Sequence, residues 1–338
     1  MIIRDINLSS HKIALKYPFA TALRRVENVE FIRVIIYTDT LHTGVGEAPA
    51  TLAVTGEDLN SIYKDISENI TQKIVALSPQ EALKVLSTCK QNSASAAIDI
   101  ALYNLLAKEK NISLKKFLGA KTDKLRTTLT ISLDTPENMA LKTVEALNRG
   151  VNILKVKVGA KDGKDTQRIE SVRKISKEAD ILVDANQAWS LDEALKVIEN
   201  ISHLNITLIE QPLKADDLNA MAELTCKSKI PILADESAFN LQEVKRVIEK
   251  KAANMINIKL MKCGGISSAI KIIKYCEKHK LVCMMGSMLE SPESIIAAAS
   301  LAMAYPHTIK YIDLDSPLLY KDIKEAKNIY FNANELSL

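Results

Sequence analysis

Aromatic residues are scarce in this 338-residue chain, at 4% of positions with a single tryptophan. No basic stripe is interleaved with them, and 45 lysines and arginines nearly balance 41 aspartates and glutamates, for a net charge of +4. Both features argue against a nucleic-acid partner. The five cysteines are odd in number and no two stand at C-x-x-C spacing. That argues against a disulfide framework or a cysteine-based zinc site, and thiols packed in a reduced core are expected. The longest apolar run, SIIAAASLAMA at 294–304, is too short to span a bilayer, so no membrane partner is expected. Arg4 and Asp5 stand where a secretory signal would be apolar. The expectation is a cytoplasmic protein. No phosphate-loop, dinucleotide-fingerprint or nucleophile-elbow pattern is present, and the five histidines form no ligand-spaced cluster.

What the chain does have is a period. Eight short apolar runs recur about every 25 residues: 127–133, 153–158, 181–186, 208–212, 232–237, 255–260, 282–288 and 309–315. Helical patterns of about a dozen residues separate them. Thr135-Pro136 and Ser291-Pro292 read as helix starts, and Ser190 with Glu193 and Asn240 with Glu243 read as capping boxes or close variants. Strands alternating with helices give a parallel sheet. Eight of them predict a (β/α) barrel with its site at one mouth, and an open doubly wound sheet is the competing fold. Residues 1–115 lack the period. They show strand-like segments at 2–15, 30–39 and 43–50, loops at 17–28 and 46–56, and helical patterns at 57–76, 79–88 and 93–109. The chain is therefore divided into an α+β capping domain (1–115), an α/β barrel (116–315) and a C-terminal segment (316–338) that returns to the capping domain.

The chemistry-bearing residues sit at the ends of the runs. Asp184, Glu210 and Asp235 are 26 and 25 residues apart and end consecutive strands. A barrel projects all three carboxylates into one mouth, where they repel one another unless a cation lies between them. A hard divalent ion, Mg²⁺, is the natural partner of such oxygen ligands. Lys155 and Lys157 are two apart on one strand and share a face. If that face is inward, like charge and a nearby metal lower the pKa of one amine and make it a usable base. The opposite setting, with Val156 inward and both lysines in water, satisfies the spacing equally well. Lys259 ends the sixth strand, opposite the second in an eight-stranded ring. Two amines flanking a metal-bound carboxylate can remove a proton from one face of its α-carbon and return it to the other, through an enediolate. Lys262, one turn on, reads as solvated or supporting. Asp313 and Asp315 share a face on strand eight and suit a substrate ammonium, or else form a turn before Ser316-Pro317. Arg24 and Arg25 lie in the first loop, where an arginine could clamp a substrate carboxylate.

Together these residues resemble the enolase superfamily over nearly the whole chain, with a (β/α)7β TIM-like barrel and an N-terminal α+β capping domain. K-x-K at 155–157, the D…E…D trio and Lys259 before KCGG are similar to the muconate-lactonizing subgroup. The resemblance implies Lys157 and Lys259 as the acid/base pair and one Mg²⁺ on Asp184, Glu210 and Asp235. The mandelate racemase subgroup carries a base histidine at strand seven, and VCMMGSM has none. Within the subgroup, D-x-D at 313–315 resembles the dipeptide epimerases. That implies a small-molecule dipeptide substrate, Ala-Glu above all, whose ammonium meets Asp313 and Asp315. It implies Arg24 on the glutamate side chain, with Arg25 the alternative, and contacts from Thr130, Lys155 and Ser287. A muconate-type cycloisomerase or an o-succinylbenzoate synthase on the same scaffold is the alternative. A homo-oligomer is left open.

Overall fold

A long antiparallel hairpin opens the chain in the computed structural model, which describes residues 1–338. Strands β1 (Ile3–Ala20) and β2 (Arg25–Thr38) pair from Ile3 with Thr38 to Ala20 with Arg25, and β3 (Thr43–Pro49) adds to β2. The loop expected across 17–28 is thus mostly strand, and only Thr21–Arg24 turns. Pro18 falls in the register shift between Ala14 and Phe19, where the ladder needs no N–H. The expected loop at 46–56 is likewise shortened, by β3 and by a one-turn helix, Leu52–Thr55.

The helix expected over 57–76 is three pieces: Leu59–Lys64, a π-helical Asp65–Ile70, and Thr71–Ile74. Ile62, Ile66, Ile70 and Ile74 recur every fourth residue, and all are buried. In an unbroken α-helix a four-residue repeat drifts around the axis; the wider π-turn reverses the drift and keeps all four on one face. The helix Ser93–Glu109 is buried on nearly every side and lies between the two domains. Ala97, Ala101 and Leu105 pack in the capping core, while Ala96 and Ile100 pack in the barrel core.

A short strand β4 (Lys124–Arg126) precedes eight parallel strands in sequential order. These are β5 (Leu129–Ile131), β6 (Ile153–Lys157), β7 (Asp180–Asp184), β8 (Ile206–Glu210), β9 (Ile232–Ala234), β10 (Met255–Ile258), β11 (Val282–Gly286) and β12 (Ile309–Asp313). The seam between β12 and β5 is drawn together where Thr128 N donates to Ile312 O at 3.0 Å and Leu314 N to Thr127 Oγ1 at 2.9 Å. Outward residues such as Val156, Val183, Ile209, Ile256 and Ile312 join the core beneath the helices. Inward residues form two layers. Leu182, Leu208, Leu233, Met255 and Met284 plug the barrel, and two positions further along β7, β8 and β9 the inward residues are Asp184, Glu210 and Asp235, while β10 continues to Asn257 and then Lys259. The period of two therefore converts one strand face from apolar floor to polar site. No helix is long and apolar enough to cross a membrane.

The C-terminal segment goes two ways. Tyr320 bridges Leu15 of β1, and Lys321 N donates to Ala14 O at 2.9 Å. But β13 (Tyr330–Asn332) pairs with β14 (Glu335–Ser337), and β14 with β4, rather than with the capping domain. Without them β4 would carry an unpaired edge. Asn334 fastens the turn by accepting from Asn152 N at 2.5 Å and donating to Thr127 O at 2.6 Å.

Asp99, on the interdomain helix, caps the barrel helix Ile266–Lys278 by accepting from Ile266 N at 2.6 Å and Ser267 N at 3.2 Å. Burial pushes its carboxyl up to about 7, against the pull of those bonds. A carboxyl raised on folding binds its proton more tightly in the native state, so its contribution to stability falls as pH rises toward 7. Asp99→Asn keeps an acceptor and cannot ionise. Its stability relative to the unsubstituted chain should therefore improve from pH 5 to pH 8, read as urea midpoints at both.

Candidate active site

The strand register brings the charged ends of β6, β7, β8, β9, β10 and β12 into one mouth. Lys155 and Lys157 are both inward, 1% and 6% exposed, which settles the strand's setting. Lys155 Nζ stands 3.0 Å from Asp184 Oδ2, 2.7 Å from Glu210 Oε2 and 2.7 Å from Asp313 Oδ2. Lys157 Nζ donates to Asp184 Oδ2 and, at 3.4 Å, to Asn186 Oδ1. Lys259 Nζ donates to Asp235 Oδ2 at 2.6 Å and lies 4.0 Å from Glu210 Oε1. Lys262 is fully buried and neither solvated nor in the pocket. Its ammonium donates to Asp235 Oδ1, Asp235 O and Asn257 O.

The protonation balance follows from this packing. Burial works against ionisation of Asp184, but Lys157 and Lys155 outweigh it and hold the group at about 2. Asp235 is held below the usual carboxylate range, burial being overcome by Lys259 and Lys262. Glu210 goes the other way, to about 7, through burial and the charge of Asp184. Glu236 rises to about 8 through burial and then Asp235 and Asp184. The sequence led us to expect one amine of the Lys155–Lys157 pair to be lowered toward neutrality by like charge and a nearby metal, whereas the protein's own carboxylates act the other way. Burial does lower Lys259, but Asp235 and Glu210 outweigh it and hold its pKa above the ordinary value. Lys155 is raised too, burial yielding to Asp313, Glu210 and Asp184.

Asp313 and Asp315 are both buried and both hold the barrel seam. Thr128 Oγ1 donates to Asp313 Oδ1, and Thr130 N to Asp315 Oδ2, each at 2.6 Å. Ser287 Oγ donates to Asp313 O at 3.1 Å. Asp315 is raised to about 6 by burial and by Asp313. One pocket is lined by Arg24, Thr130, Lys155, Lys157, Lys259, Ser287, Asp313 and Asp315 together. Arg25 lines a different cavity, beside Tyr17 and Arg149. Arg24 is half-buried, makes no ion pair, and is lowered to about 10 by burial.

Asp184, Glu210 and Asp235 end adjacent strands, but no three acidic, histidine or cysteine side chains share a point at ligating distance. Lys155 stands between Asp184 and Glu210, and Lys259 between Glu210 and Asp235. The residues nonetheless fit a hard divalent cation. Glu210 Oε2 and Glu236 Oε2 are buried without a hydrogen bond, Lys155 lying near the former but out of line. The carboxyl groups Asp184, Glu210, Asp235, Glu236, Asp313 and Asp315 outnumber the four buried lysines. All the donors are hard oxygens.

The description "Mandelate racemase / muconate lactonizing enzyme, N-terminal domain" matches residues 3–119, and "Enolase C-terminal domain-like" matches residues 138–332. The chain belongs to the mandelate racemase/muconate lactonizing enzyme family of the enolase superfamily. It is 45% identical, over 99% of both chains, to the L-amino acid-D/L-Glu epimerase of Sulfurimonas denitrificans. It superposes on a substrate-liganded complex of the L-Ala-D/L-Glu epimerase from Bacillus subtilis with a TM-score of 0.96 at 35% identity, covering 100% of this chain and 96% of that one. A dipeptide epimerase from Enterococcus faecalis, complexed with Mg and L-Leu-L-Tyr, gives 0.93 at 34% identity, covering 100% and 97%.

Several residues of this enolase-superfamily site escaped the sequence. Gln211 is fully buried; its Oε1 accepts from Asp235 N and Ser237 N, and its Nε2 donates to Leu213 O and Ser237 Oγ. It fixes the start of the loop after β9 from the end of β8. Asn257 Nδ2 donates to Glu210 Oε1 at 2.8 Å, and Gly286 leaves room for it: a Cβ there would meet Asn257 Oδ1 at 2.5 Å. The signal for Asn257 was its period-two position before Lys259. Gln211 gave none, because an amide after a strand reads equally as a turn residue. Gln211→Ala leaves two buried N–H groups without acceptors and should cost about 2–4 kcal/mol of stability. A urea midpoint unchanged from the parent chain would contradict this.

Proposed function

We propose that this isomerase inverts the α-carbon of the C-terminal residue of dipeptides, Ala-Glu above all. The observation that carries the reading is the pocket itself, where two buried amines, Lys157 and Lys259, face a space shared with two aspartates and an unpaired arginine. An amine on one face and an ammonium on the other match a proton removed from one side and returned to the other. Asp313 and Asp315 match a substrate ammonium. Arg24, a half-buried cation without an anion, matches a side-chain carboxylate. Relatives named for D/L-Glu epimerisation support the substrate class.

In the forward step one lysine, as the free amine, accepts the α-proton and becomes an ammonium; the opposite lysine, as an ammonium, donates a proton to the other face of the planar carbanion. The roles exchange in reverse. Mg²⁺ held by Asp184, Glu210 and Asp235 would neutralise the charge gathering on the substrate carboxylate and relieve the field of Asp235 and Glu210 on Lys259. Lys262 and Gln211 hold Asp235, and Asn257 holds Glu210, so these carboxylates are set before substrate arrives. Muconate-type or o-succinylbenzoate substrates carry no ammonium and would face the two aspartates across a repulsive gap. Cytoplasmic recycling of cell-wall peptides is the setting we propose for a dipeptide activity.

With L-Ala-L-Glu and L-Ala-D-Glu in D₂O, the parent enzyme should exchange the C-terminal α-proton of both, and chelation should abolish the exchange. Lys157→Ala and Lys259→Ala should each lose epimerisation and retain exchange, if any, with one diastereomer only, opposite in the two variants. No exchange into any dipeptide would shift the assignment to the cycloisomerase or synthase reading. Arg24→Met should lower kcat/KM for Ala-Glu relative to Ala-Ala roughly tenfold to a hundredfold, the ~1.5–3 kcal/mol of a charged hydrogen bond. An unchanged ratio would remove Arg24 from the substrate site.

A further inference from the structure

Arg24 sits on a turn that is closed on itself. Thr21 N donates to Arg24 O at 2.9 Å, and Thr21 Oγ1 accepts from Leu23 N and Arg24 N at 3.1 and 3.3 Å. A turn braced in this way shifts as a unit, so whatever fixes Ala22 also fixes Arg24. The barrel provides a seat for it. Gly159, just after β6, has φ +98°, and a Cβ there would lie 2.4 Å from Ala188 Cβ and 3.1 Å from Ala22 Cβ. The hairpin tip therefore rests directly on the Gly159 backbone, with no side chain between.

That backbone is pinned from behind. Gly159 N donates to both oxygens of Asp165 at 3.0 Å, and Asp165 Oδ2 also accepts from Trp189 Nε1 at 2.8 Å. Arg168, 4% exposed, donates to Asp165 Oδ1 at 3.2 Å and from Nε to Asp134 O at 2.7 Å. Leu133, beside Asp134, donates its N–H to Ala20 O at 3.0 Å, a second place where the barrel holds the hairpin tip. One buried aspartate and one buried arginine thus brace both docking points. None of Gly159, Asp165, Arg168 and Trp189 lines the pocket.

We propose that Gly159, held by Asp165 and Trp189, is a positioning residue that sets where Arg24 stands and so sets the preference for an acidic C-terminal side chain without touching substrate. The inference rests on the reading of Arg24 as the carboxylate clamp. Selectivity then depends on the barrel surface under the hairpin as much as on the hairpin's own sequence.

The test compares kcat and KM for L-Ala-L-Glu and L-Ala-L-Ala in the parent enzyme, Gly159→Ala, Trp189→Phe, Arg24→Met and the two combinations with Arg24→Met. Displacing the turn should raise KM for Ala-Glu in Gly159→Ala and lower the Glu-over-Ala ratio of kcat/KM about tenfold or more, the scale of a misplacement near 1 Å. kcat for Ala-Ala should stay within about twofold, since neither Gly159 nor Trp189 lines the pocket. Trp189→Phe keeps an aromatic ring and loses the donor, and should shift the ratio the same way by less. Neither substitution should lower the ratio further once Arg24 is replaced, because all act through one contact. An equal fall for both dipeptides, or losses that add in full to that of Arg24→Met, would overturn the proposal. If Gly159→Ala does not fold, an unchanged ratio in Trp189→Phe overturns it alone. If Arg24→Met itself leaves the ratio unchanged, the carboxylate-clamp reading fails, and the inference with it.

Discussion

Four lysines buried among six carboxyl groups at the end of a parallel barrel are the constraint on which the rest of the structure depends. Removed from water, each charge is costly unless an opposite charge and good hydrogen bonds compensate it. The barrel meets that demand by geometry. Lys155 touches carboxylates from β7, β8 and β12 at once, and Asp235 takes two ammonium groups, one on each oxygen. Removing one member leaves its partners uncompensated in low dielectric, so the members of the cluster hold one another in place. The same arrangement leaves Glu210 and Glu236 short of positive charge, raised to about 7 and about 8, which is where a further cation fits.

The rest of the fold serves this cluster. The apolar floor of Leu182, Leu208, Leu233, Met255 and Met284 closes the barrel beneath it. The seam of the barrel is hydrogen-bonded through Asp313 and Asp315, and these two residues carry both the closure of the sheet and the proposed ammonium site. The capping hairpin brings Arg24, the one cation of the pocket without an ion pair, to the mouth of the barrel. Helix Ser93–Glu109 is shared by both cores and, through Asp99, caps a barrel helix, so the two domains are fastened to each other.

Much of this was legible in the sequence because two periods carry it. A strand every 25 residues or so predicted the barrel and set Asp184, Glu210, Asp235 and Lys259 at its strand ends; the period of two put Lys155 and Lys157 on one face, and the structure turns that face inward. The misreadings have physical causes. Pro18 looks like a breaker but occupies an irregularity in the ladder, so a strand was read as loop. The lowering expected at Lys155 or Lys157 rests on a nearby metal as well as on like charge, and the protein's own carboxylates by themselves raise Lys155. Residues 330–337 carry no signal of their partner, because β4, which they complete, lies some 200 residues earlier in the chain. Gln211 and Gly159 act through hydrogen bonds and close contacts that no local pattern encodes.

The central claim, that two lysines on opposite faces move the proton, is tested most directly by the isotopic content of the first product. Epimerisation of L-Ala-L-Glu would be run in D₂O and the L-Ala-D-Glu isolated at a few per cent conversion. A donor lysine equilibrated with solvent, distinct from the lysine that took the proton, gives product fully deuterated at the α-carbon from the first turnover. Product that retains the substrate's own proton would mean a single base returning what it removed, and would contradict the account.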